Sequence, residues 1–261
     1  MATVSVPLAG LVDTAILGHL EDIRFLAGVA LGSIVFDYVY WTFGFLRMGT
    51  TGTTAQAMGG GDIKAVYLTL YRGLFLALSI GTALVVLQVP IRIGGFAVLS
   101  GTEGVEAAGV AYFNARVWGA PATLCSFVLI GWFLGREESG RVLLITVGAN
   151  VSNIILDYVF VLGFGLAAFG AGLATMISQY LAVVIGLILF WKSRESRPWL
   201  WGEILDRHGL TSLMRLNRDI LFRTLGLITA LSLFTNLSSV LGTTVLAANA
   251  ILLRVQYLAS H

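Results

Sequence analysis

Stretches of mostly apolar residues, each long enough to cross a lipid bilayer, follow one another along almost the whole chain. A membrane-spanning helix needs about 20 such residues. Because lipid offers the backbone no hydrogen-bond partners, repeated runs of this length favour helices over the shorter, alternating strands of a barrel. The sequence therefore predicts an all-α fold, a polytopic transmembrane helix bundle. The runs, numbered spans 1 to 8, extend from about Ala2 to Leu17, Phe25 to Leu46, Val66 to Val89, Val105 to Leu134, Val142 to Leu162, Phe169 to Trp191, Ile220 to Leu241, and Val245 onward.

The composition excludes a soluble protein and several kinds of functional site. Hydrophobic residues make up 57% of the 261 residues and charged residues 11%, against about 25% charged residues in soluble domains. A net charge of +2 gives no reason to expect nucleic acid as a partner. The single Cys125 excludes an intrachain disulfide framework, and His19, His208 and His261 are too scattered to suggest a metal centre. We expect no cofactor, no metal and no catalytic residue, because the chain has no His-Glu-x-x-His or Gly-x-Ser-x-Gly motif.

Lysine and arginine lie mainly on one side of the predicted bundle. If the amino end faces the cytoplasm, twelve basic residues fall on the inside and three on the outside. Basic residues are enriched in cytoplasmic loops, so we predict a cytoplasmic amino end. The inside group is Arg47, Lys64, Arg72, Arg136, Arg141, Lys192, Arg194, Arg197, Arg207, Arg215, Arg218 and Arg223, and the outside group is Arg24, Arg92 and Arg116.

A polar stretch from Lys192 to Arg218 separates the first six spans from spans 7 and 8. It is interpreted either as an amphipathic helix on the inner leaflet, with Trp199 and Trp201 at headgroup level, or as a partly ordered linker. We predict an amino-terminal lobe at 1–192, a cytoplasmic linker at 193–218 and the start of a second lobe at 219–261. Because span 1 is short and span 8 stops midway, a truncated second lobe is expected.

Short matches within the chain and to a known family support this division. Leu241-Gly242 before span 8 echoes Leu17-Gly18 before span 2, as in transporters built from parallel repeats. The segment from Pro7 to Leu20 resembles the first-span motif of the multidrug and toxic compound extrusion (MATE) family, and is most similar to its DNA-damage-inducible F-type branch. The resemblance implies twelve spans in two six-helix lobes, of which this chain holds the amino lobe and the start of the second. Further matches are Phe45-Leu46-Arg47-Met48, Thr50-Thr51-Gly52, Thr54-Ala55-Gln56-Ala57, Asn150, Asn153, Ile154, Leu156, Asp157, Gly172-Leu173-Ala174-Thr175 and Leu216-Asn217-Arg218-Asp219-Ile220.

Acidic and amide side chains inside the spans are the candidate functional residues. An acid within a membrane marks an ion or substrate pathway by default, and Asp13 lies in the outer half of span 1. Asn153 and Asp157 are four residues apart, so they share one helix face. The resemblance implies that Asp13, Asn153, Asp157 and Thr175 gather in an amino-lobe cavity and bind the coupling cation. A structural hydrogen-bond network between helices is the alternative for Asn153 and Asp157.

Span 2 offers a second, weaker set of candidates. Asp37 could line a substrate cavity, or it could pair with Arg116 or a backbone donor. Aromatic side chains near it could stack on cationic substrates, although aromatic belts at membrane interfaces also explain such residues. The predicted substrate cavity comprises Asp37, Tyr38, Tyr40, Trp41 and Asn150.

The resemblance implies a secondary active transporter of the bacterial inner membrane. It would exchange H+ or Na+ for drugs or other toxic organic compounds, with cationic or amphipathic small molecules as substrates and the lipid bilayer as surroundings. A monomer is expected. The alternatives are a lipid-precursor flippase of the same superfamily, an inactive truncated fragment, an intramembrane enzyme such as a lipid-phosphate transferase, and a structural or assembly subunit.

Overall fold

The computed structural model describes residues 16–18, 22–99, 101–192, 222 and 226. Every regular element named within these residues is helical, which confirms the all-α prediction. The helices are α1 Ile23–Thr42, α2 Phe45–Gly59, α3 Ile63–Val86, α4 Gln88–Val98, α5 Glu103–Arg116, α6 Ala120–Gly135, α7 Ser139–Asp157 and α8 Ala167–Lys192. A 3₁₀ turn, Val117–Gly119, joins α5 to α6, and a π-helix, Tyr158–Gly163, continues α7.

Five helical stretches are long and apolar enough to cross a membrane, and they coincide in order with predicted spans 2 to 6. The chain divides into two units, Met1–Met214 and Arg215–His261, and helices α1 to α8 all lie in the first. Spans 1, 7 and 8 and the linker fall almost wholly outside the described residues, so the domain boundaries at 192 and 218 stay predictions. The five stretches are Ile23–Gly59, Ile63–Val86, Glu103–Gly135, Ser139–Gly163 and Ala167–Lys192.

Span 2 is longer than the hydropathy of the sequence predicts, because α2 continues through a threonine-rich segment to Gly59. Thr51 and Thr53 each donate a hydrogen bond to the backbone carbonyl four residues earlier, at 2.8 Å. Thr50 and Thr54 are buried, and α2 packs against α6. A Cβ atom added at Gly131 or Gly135 of α6 would lie 3.2 Å from the Thr50 Cβ or 2.6 Å from the Thr54 Cβ. Close packing of these threonines against glycines thus carries the helix past the point where the apolar pattern ends.

The stretch Glu103–Gly135 forms the centre of the described bundle. Its apolar window is 72% buried, against 22% to 28% for the other four membrane-length stretches. Helix α6 packs against α2, α3 and α8, and Trp132 donates from Nε1 to the Val66 carbonyl at 2.9 Å. A buried indole that bonds the backbone of another helix fixes the register between them, so α3 and α6 are held together at this point.

Glycine allows α1 and α5 to approach closely enough to place their side chains opposite one another. A Cβ atom at Gly28 would lie 2.5 Å from the Ala108 Cβ, and one at Gly109 would lie 3.0 Å from the Gly28 carbonyl oxygen. Small residues at helix crossings let backbones pack closely in membrane proteins. This crossing brings the segment from Phe36 to Trp41 on α1 towards the last turn of α5.

Candidate functional site

Asn153 and Asp157 form a buried hydrogen-bonded pair near the end of α7. Asn153 Nδ2 donates to Asp157 Oδ2 at 3.0 Å, and the two residues are 8% and 2% exposed. The same face of α7 buries Ile145 and Ala149, and α7 packs against α8 and α6. The four-residue spacing therefore does place both polar groups inside the bundle, as the sequence predicts.

The backbone changes geometry directly after Asp157. Residues Tyr158–Gly163 form a π-helix, and the following turn holds Gly165 and Ala167 at positive φ values of 66° and 45°. A π-helix has one more residue per hydrogen-bonded turn than an α-helix and occurs frequently at functional sites. Asp157 is thus the last α-helical residue before an irregular segment, a place where the backbone can rearrange without unwinding the rest of α7.

The other predicted cation-coupling residues have different surroundings. Thr175 lies half-buried on α8, and its hydroxyl donates to the Ala171 carbonyl at 2.9 Å. The Thr175 hydroxyl proton is therefore used within its own helix. Asn150 extends the polar stripe of α7 by about one turn, and its buried Nδ2 has no hydrogen-bond partner within the described part of the chain. Asp13 lies outside the described residues, so its place in the site stays a prediction.

The α1 residues predicted to line a substrate cavity divide into two groups. Asp37 is exposed, and so are Tyr38 and Trp41, at 69% and 58%. Tyr40 is buried, with its ring stacked 5.6 Å from that of Phe36 and edge-on to Phe127. Asp37, Tyr38 and Trp41 are therefore not covered by the described helices, while the Tyr40 ring packs among them.

Arg116, which the sequence places in the outside group of basic residues and offers as one partner for Asp37, is the centre of an aromatic cluster. Its guanidinium carbon lies 4.6 Å from the ring centre of Phe36, 5.5 Å from that of Tyr112 and 5.8 Å from that of Tyr40. Nη1 donates to the Tyr112 hydroxyl at 2.6 Å, and this hydroxyl also accepts from Ser33 Oγ at 3.2 Å. The sequence signal was present as two pairs at i and i+4 spacing, Phe36 with Tyr40 and Tyr112 with Arg116.

Comparison with known proteins identifies the family of this chain. The MatE family model matches residues 1–159, more than half of the chain. The chain belongs to the MatE family. It is 37% identical over 255 residues to DNA damage-inducible protein F of Escherichia coli (strain K12), covering 97% of this chain and 55% of that protein. It is 30% identical over 193 residues to a probable multidrug resistance protein NorM of Thermotoga maritima. That match covers 72% of this chain and 41% of the Thermotoga protein.

Two solved transporter structures share the fold. A MATE transporter in a bent conformation has a TM-score of 0.84 at 22% identity, covering 98% of this chain and 58% of its own. A MOP superfamily transporter from Pyrococcus furiosus has a TM-score of 0.83 at 21% identity, and the match covers 98% of this chain and 57% of that transporter. This MatE chain thus spans about half the length of its relatives. The predicted family and the multi-span helical fold are confirmed, and the family is one of transporters rather than enzymes.

Proposed function

We propose that this chain acts in a cation-coupled exporter, which exchanges H+ or Na+ for toxic small organic molecules across the bacterial inner membrane with the amino end of the chain in the cytoplasm. Family membership and the naming of a relative as a probable multidrug resistance protein support this proposal. The observation that carries it is the buried Asp157 carboxylate, which accepts a hydrogen bond from Asn153 within a membrane-length stretch.

A carboxylate in this position is suited to exchange a cation. Ionised carboxylates are costly to hold inside a bilayer, and intramembrane acids mark proton and ion pathways. A proton neutralises the group directly, and Na+ is a hard cation that prefers oxygen ligands such as carboxylate and amide oxygens. The Asn153 amide supplies one neutral oxygen four residues away, and we propose Asp13 and Thr175 as the further members of the site.

Exchange also requires that the site release its cation when the protein changes conformation. The π-helix Tyr158–Gly163 begins at the residue after Asp157, and irregular turns of this kind can shift to regular helix and move the side chains beside them. We propose that such a shift alters the distance between Asp157 and its partners. Substrates would then leave along the exposed α1 side chains Asp37, Tyr38 and Trp41.

The test is dye efflux from vesicles that contain a full-length transporter with this sequence, driven by a proton gradient or a sodium gradient. Asp157→Asn keeps the shape and removes the exchangeable charge, so we expect efflux to fall to the level of empty vesicles. The control is Asp62→Asn, because Asp62 lies in a loop and accepts the Ala65 amide at 2.9 Å as the cap of α3, a role that asparagine fills equally well. Efflux by Asp157→Asn close to the parental rate, with equal protein in the membrane, would overturn the proposal.

The same experiment separates an exporter from a flippase. A flippase of this architecture would move a lipid-linked precursor and would show no gradient-driven loss of soluble dye in either variant. An exporter is therefore expected to show dye efflux in the parental protein and in Asp62→Asn, and none in Asp157→Asn. A flippase would show no dye efflux in any of the three.

A further inference from the structure

A polar stripe continues from the Asn153–Asp157 pair towards the amino end of α7. Asn150 lies three residues before Asn153, and Thr146 lies four residues before Asn150. Residues three or four apart lie on one face of a helix, one above the other. Since each residue advances a helix by about 1.5 Å, the stripe reaches about 10 Å beyond Asn153. It therefore extends the proposed coupling site by about two turns along one face of α7.

The added part of the stripe faces away from a close contact between α7 and α8. A Cβ atom at Gly148 would lie 2.6 Å from Ile185 Cδ1 on α8. Thr146 and Asn150 are each two residues from Gly148, and two residues of an α-helix differ in direction by about 200°. The side chains of Thr146 and Asn150 therefore point almost opposite to this contact with α8.

The stripe is also separate from the exposed face of α7. Every exposed side chain of this helix between residues 143 and 155 is apolar, and Val147 and Val151 are 40% and 49% exposed. Such a face suits lipid tails, which offer polar groups no hydrogen-bond partners. Thr146 and Asn150 are half-buried instead. The polar stripe thus lies between the buried face of α7 and its exposed apolar face.

The Asn150 amide and the Thr146 hydroxyl determine what this part of the stripe can bind. Asn150 Nδ2 is buried and finds no hydrogen-bond partner among the described residues. A buried amide donor without a partner carries a desolvation penalty that a leucine of similar size would avoid. The Thr146 hydroxyl donates to the Val142 carbonyl at 2.9 Å, and its oxygen retains lone pairs that accept. A neutral donor and a neutral acceptor one turn apart are suited to hold water or a hydrated cation.

A charged turn marks the membrane surface at the amino end of α7. The Glu138 carboxylate oxygens lie 3.2 Å from Arg136 Nη2 and 2.8 Å from Arg141 Nη1, and α7 begins at the next residue, Ser139. With the amino end of the chain in the cytoplasm, as proposed, this turn lies on the inner side. Thr146 is seven residues from Ser139, so about 10 Å of helix separates the polar stripe from the inner surface.

We infer that Thr146 and Asn150 line a water-accessible passage between the Asn153–Asp157 pair and the cytoplasm, through which the exchanged cation enters and leaves. The inference rests on the proposed function, because it gives the coupling cation of that exporter a route. Neutral amide and hydroxyl groups suit such a route, since they replace part of a cation's hydration without binding it as tightly as a carboxylate does. Asn150, predicted from sequence to line a substrate cavity, is thereby assigned to the cation instead.

Access of water to the stripe from each side of the membrane tests the passage. The variants are Thr146→Cys and Asn150→Cys, with Val147→Cys and Val151→Cys as matched controls on the exposed apolar face, in a full-length transporter with this sequence. Vesicles are treated from the cytoplasmic or the outer side with trimethylammonioethyl methanethiosulfonate, a membrane-impermeant cation that reacts with thiolates. The parental protein, whose Cys125 is buried, gives the background.

The expected pattern is the reverse of exposure in the bundle. Thiolates form in water and are disfavoured in an apolar environment. Thr146→Cys and Asn150→Cys should therefore react from the cytoplasmic side at least about tenfold faster than the two valine variants, although the valines are more exposed. Labelling over minutes samples conformations that interconvert faster than that.

A second measurement separates a role in the passage from a structural role of Asn150. Asn153→Cys lies at the proposed coupling site and should react from the cytoplasmic side through the passage. Adding Asn150→Leu removes one hydrogen-bonding group and should slow this reaction about tenfold, whereas adding Val151→Leu should leave its rate unchanged. A merely structural role of Asn150 predicts the opposite sign, because loosened packing would raise the labelling of Asn153→Cys.

Equal rates in Asn150→Cys and Val151→Cys would overturn the inference, and so would faster reaction from the outer side, or labelling of Asn153→Cys that Asn150→Leu leaves unchanged or raises. The reagent needs no ion gradient, so the result is read separately from dye efflux. Reaction of Thr146→Cys and Asn150→Cys from the cytoplasm, with parental efflux in Asp157→Asn, would keep the passage and reject the coupling site. Efflux lost in Asp157→Asn, with no reaction at Thr146→Cys or Asn150→Cys, would do the reverse.

Discussion

Asp157 and Arg116 are both ionisable side chains within membrane-length helices, and they are held by different kinds of neighbour. Asp157 accepts a hydrogen bond from the neutral Asn153 amide beside a π-helix. Arg116 is stacked among three aromatic rings and bonded to a tyrosine hydroxyl. A carboxylate loses its charge when it binds a proton, whereas a guanidinium stays charged because it does not lose its proton in proteins. The difference suits the Asn153–Asp157 pair, and not Arg116, to the exchange of a cation that we propose.

The largest expected effect separates these two charged groups within one assay. In vesicles with a full-length transporter, Asp157→Asn should abolish gradient-driven dye efflux, because coupling is needed for any substrate. Arg116→Lys keeps a positive charge among the aromatic rings and should leave efflux measurable. If Asp157→Asn still pumped at the parental rate, or if Arg116→Lys abolished efflux while the protein stayed folded, this difference between the two groups would be wrong.

The next effect concerns two glycines at helix contacts, Gly81 on α3 and Gly148 on α7. A Cβ atom at Gly81 would clash with the backbone of Pro121 in the first turn of α6, whereas one at Gly148 on α7 would meet the flexible end of the Ile185 side chain at 2.6 Å. Gly81→Ala should therefore destabilise the chain by about 1–3 kcal/mol. Gly148→Ala should be neutral or stabilising, because alanine favours helix. Thermal unfolding in detergent measures both, and equal unfolding temperatures for the two variants would contradict the close contact at Pro121.

A smaller effect should follow from loosening Arg116 without removing it. Tyr112→Phe keeps the ring and deletes the hydroxyl that accepts from Arg116 and Ser33. The free energy of unfolding should fall by about 1 kcal/mol, as expected for loss of a buried hydrogen bond. Tyr158→Phe is the control from the α7 region, because Tyr158 is exposed. Thermal unfolding in detergent measures both variants, and an unchanged unfolding temperature in Tyr112→Phe would mean that the hydroxyl has no part in holding the guanidinium.

The smallest effect should come from a charge pair outside the bundle. Asp22 caps α1, and its hydrogen bonds with Arg24 lower the pKa of its carboxyl below the ordinary value. A lowered pKa in the folded chain means that this stabilisation is present above the unfolded pKa of about 4 and is lost as the pH falls through the folded value. Asp22→Asn should thus lower the unfolding temperature slightly at neutral pH and not at all in strong acid. If Asp22→Asn lowered the unfolding temperature more than Gly81→Ala, the exposed Asp22–Arg24 pair would stabilise the fold more than the buried contact at Gly81, contrary to this prediction.

The helical fold was predictable from sequence, because crossing a bilayer requires about 20 apolar residues in each span. Five predicted spans coincide with described helices. The extension of α2 to Gly59 was not predictable from hydropathy, because it depends on Thr50 and Thr54 being buried against another helix. Apolar periodicity reports which residues avoid water, and it does not report which threonines pack against glycines of another helix.

The two sites differ in how much of them the sequence indicates. Asn153 and Asp157 are four residues apart on one helix, so a local rule finds them. The Arg116 cluster joins residues as far apart as Phe36 and Arg116, and the close approach of α1 and α5 at Gly28 and Gly109 brings them together. No local spacing encodes that crossing. Sequence thus suggested Asp37 and Arg116 as one of several pairings, and the aromatic cluster emerged only from the packing.

Cation movement driven by the substrate tests the proposed role of Asp157 most directly. Vesicles with a full-length transporter are loaded with a pH-sensitive or a sodium-sensitive indicator, and dye is added without any imposed gradient. We predict that the parental protein and Asp62→Asn move H+ or Na+ against the dye flux, and that Asp157→Asn shows no cation movement at all. Cation movement of parental size in Asp157→Asn, with the protein folded and inserted, would show that the Asn153–Asp157 pair is not the coupling site.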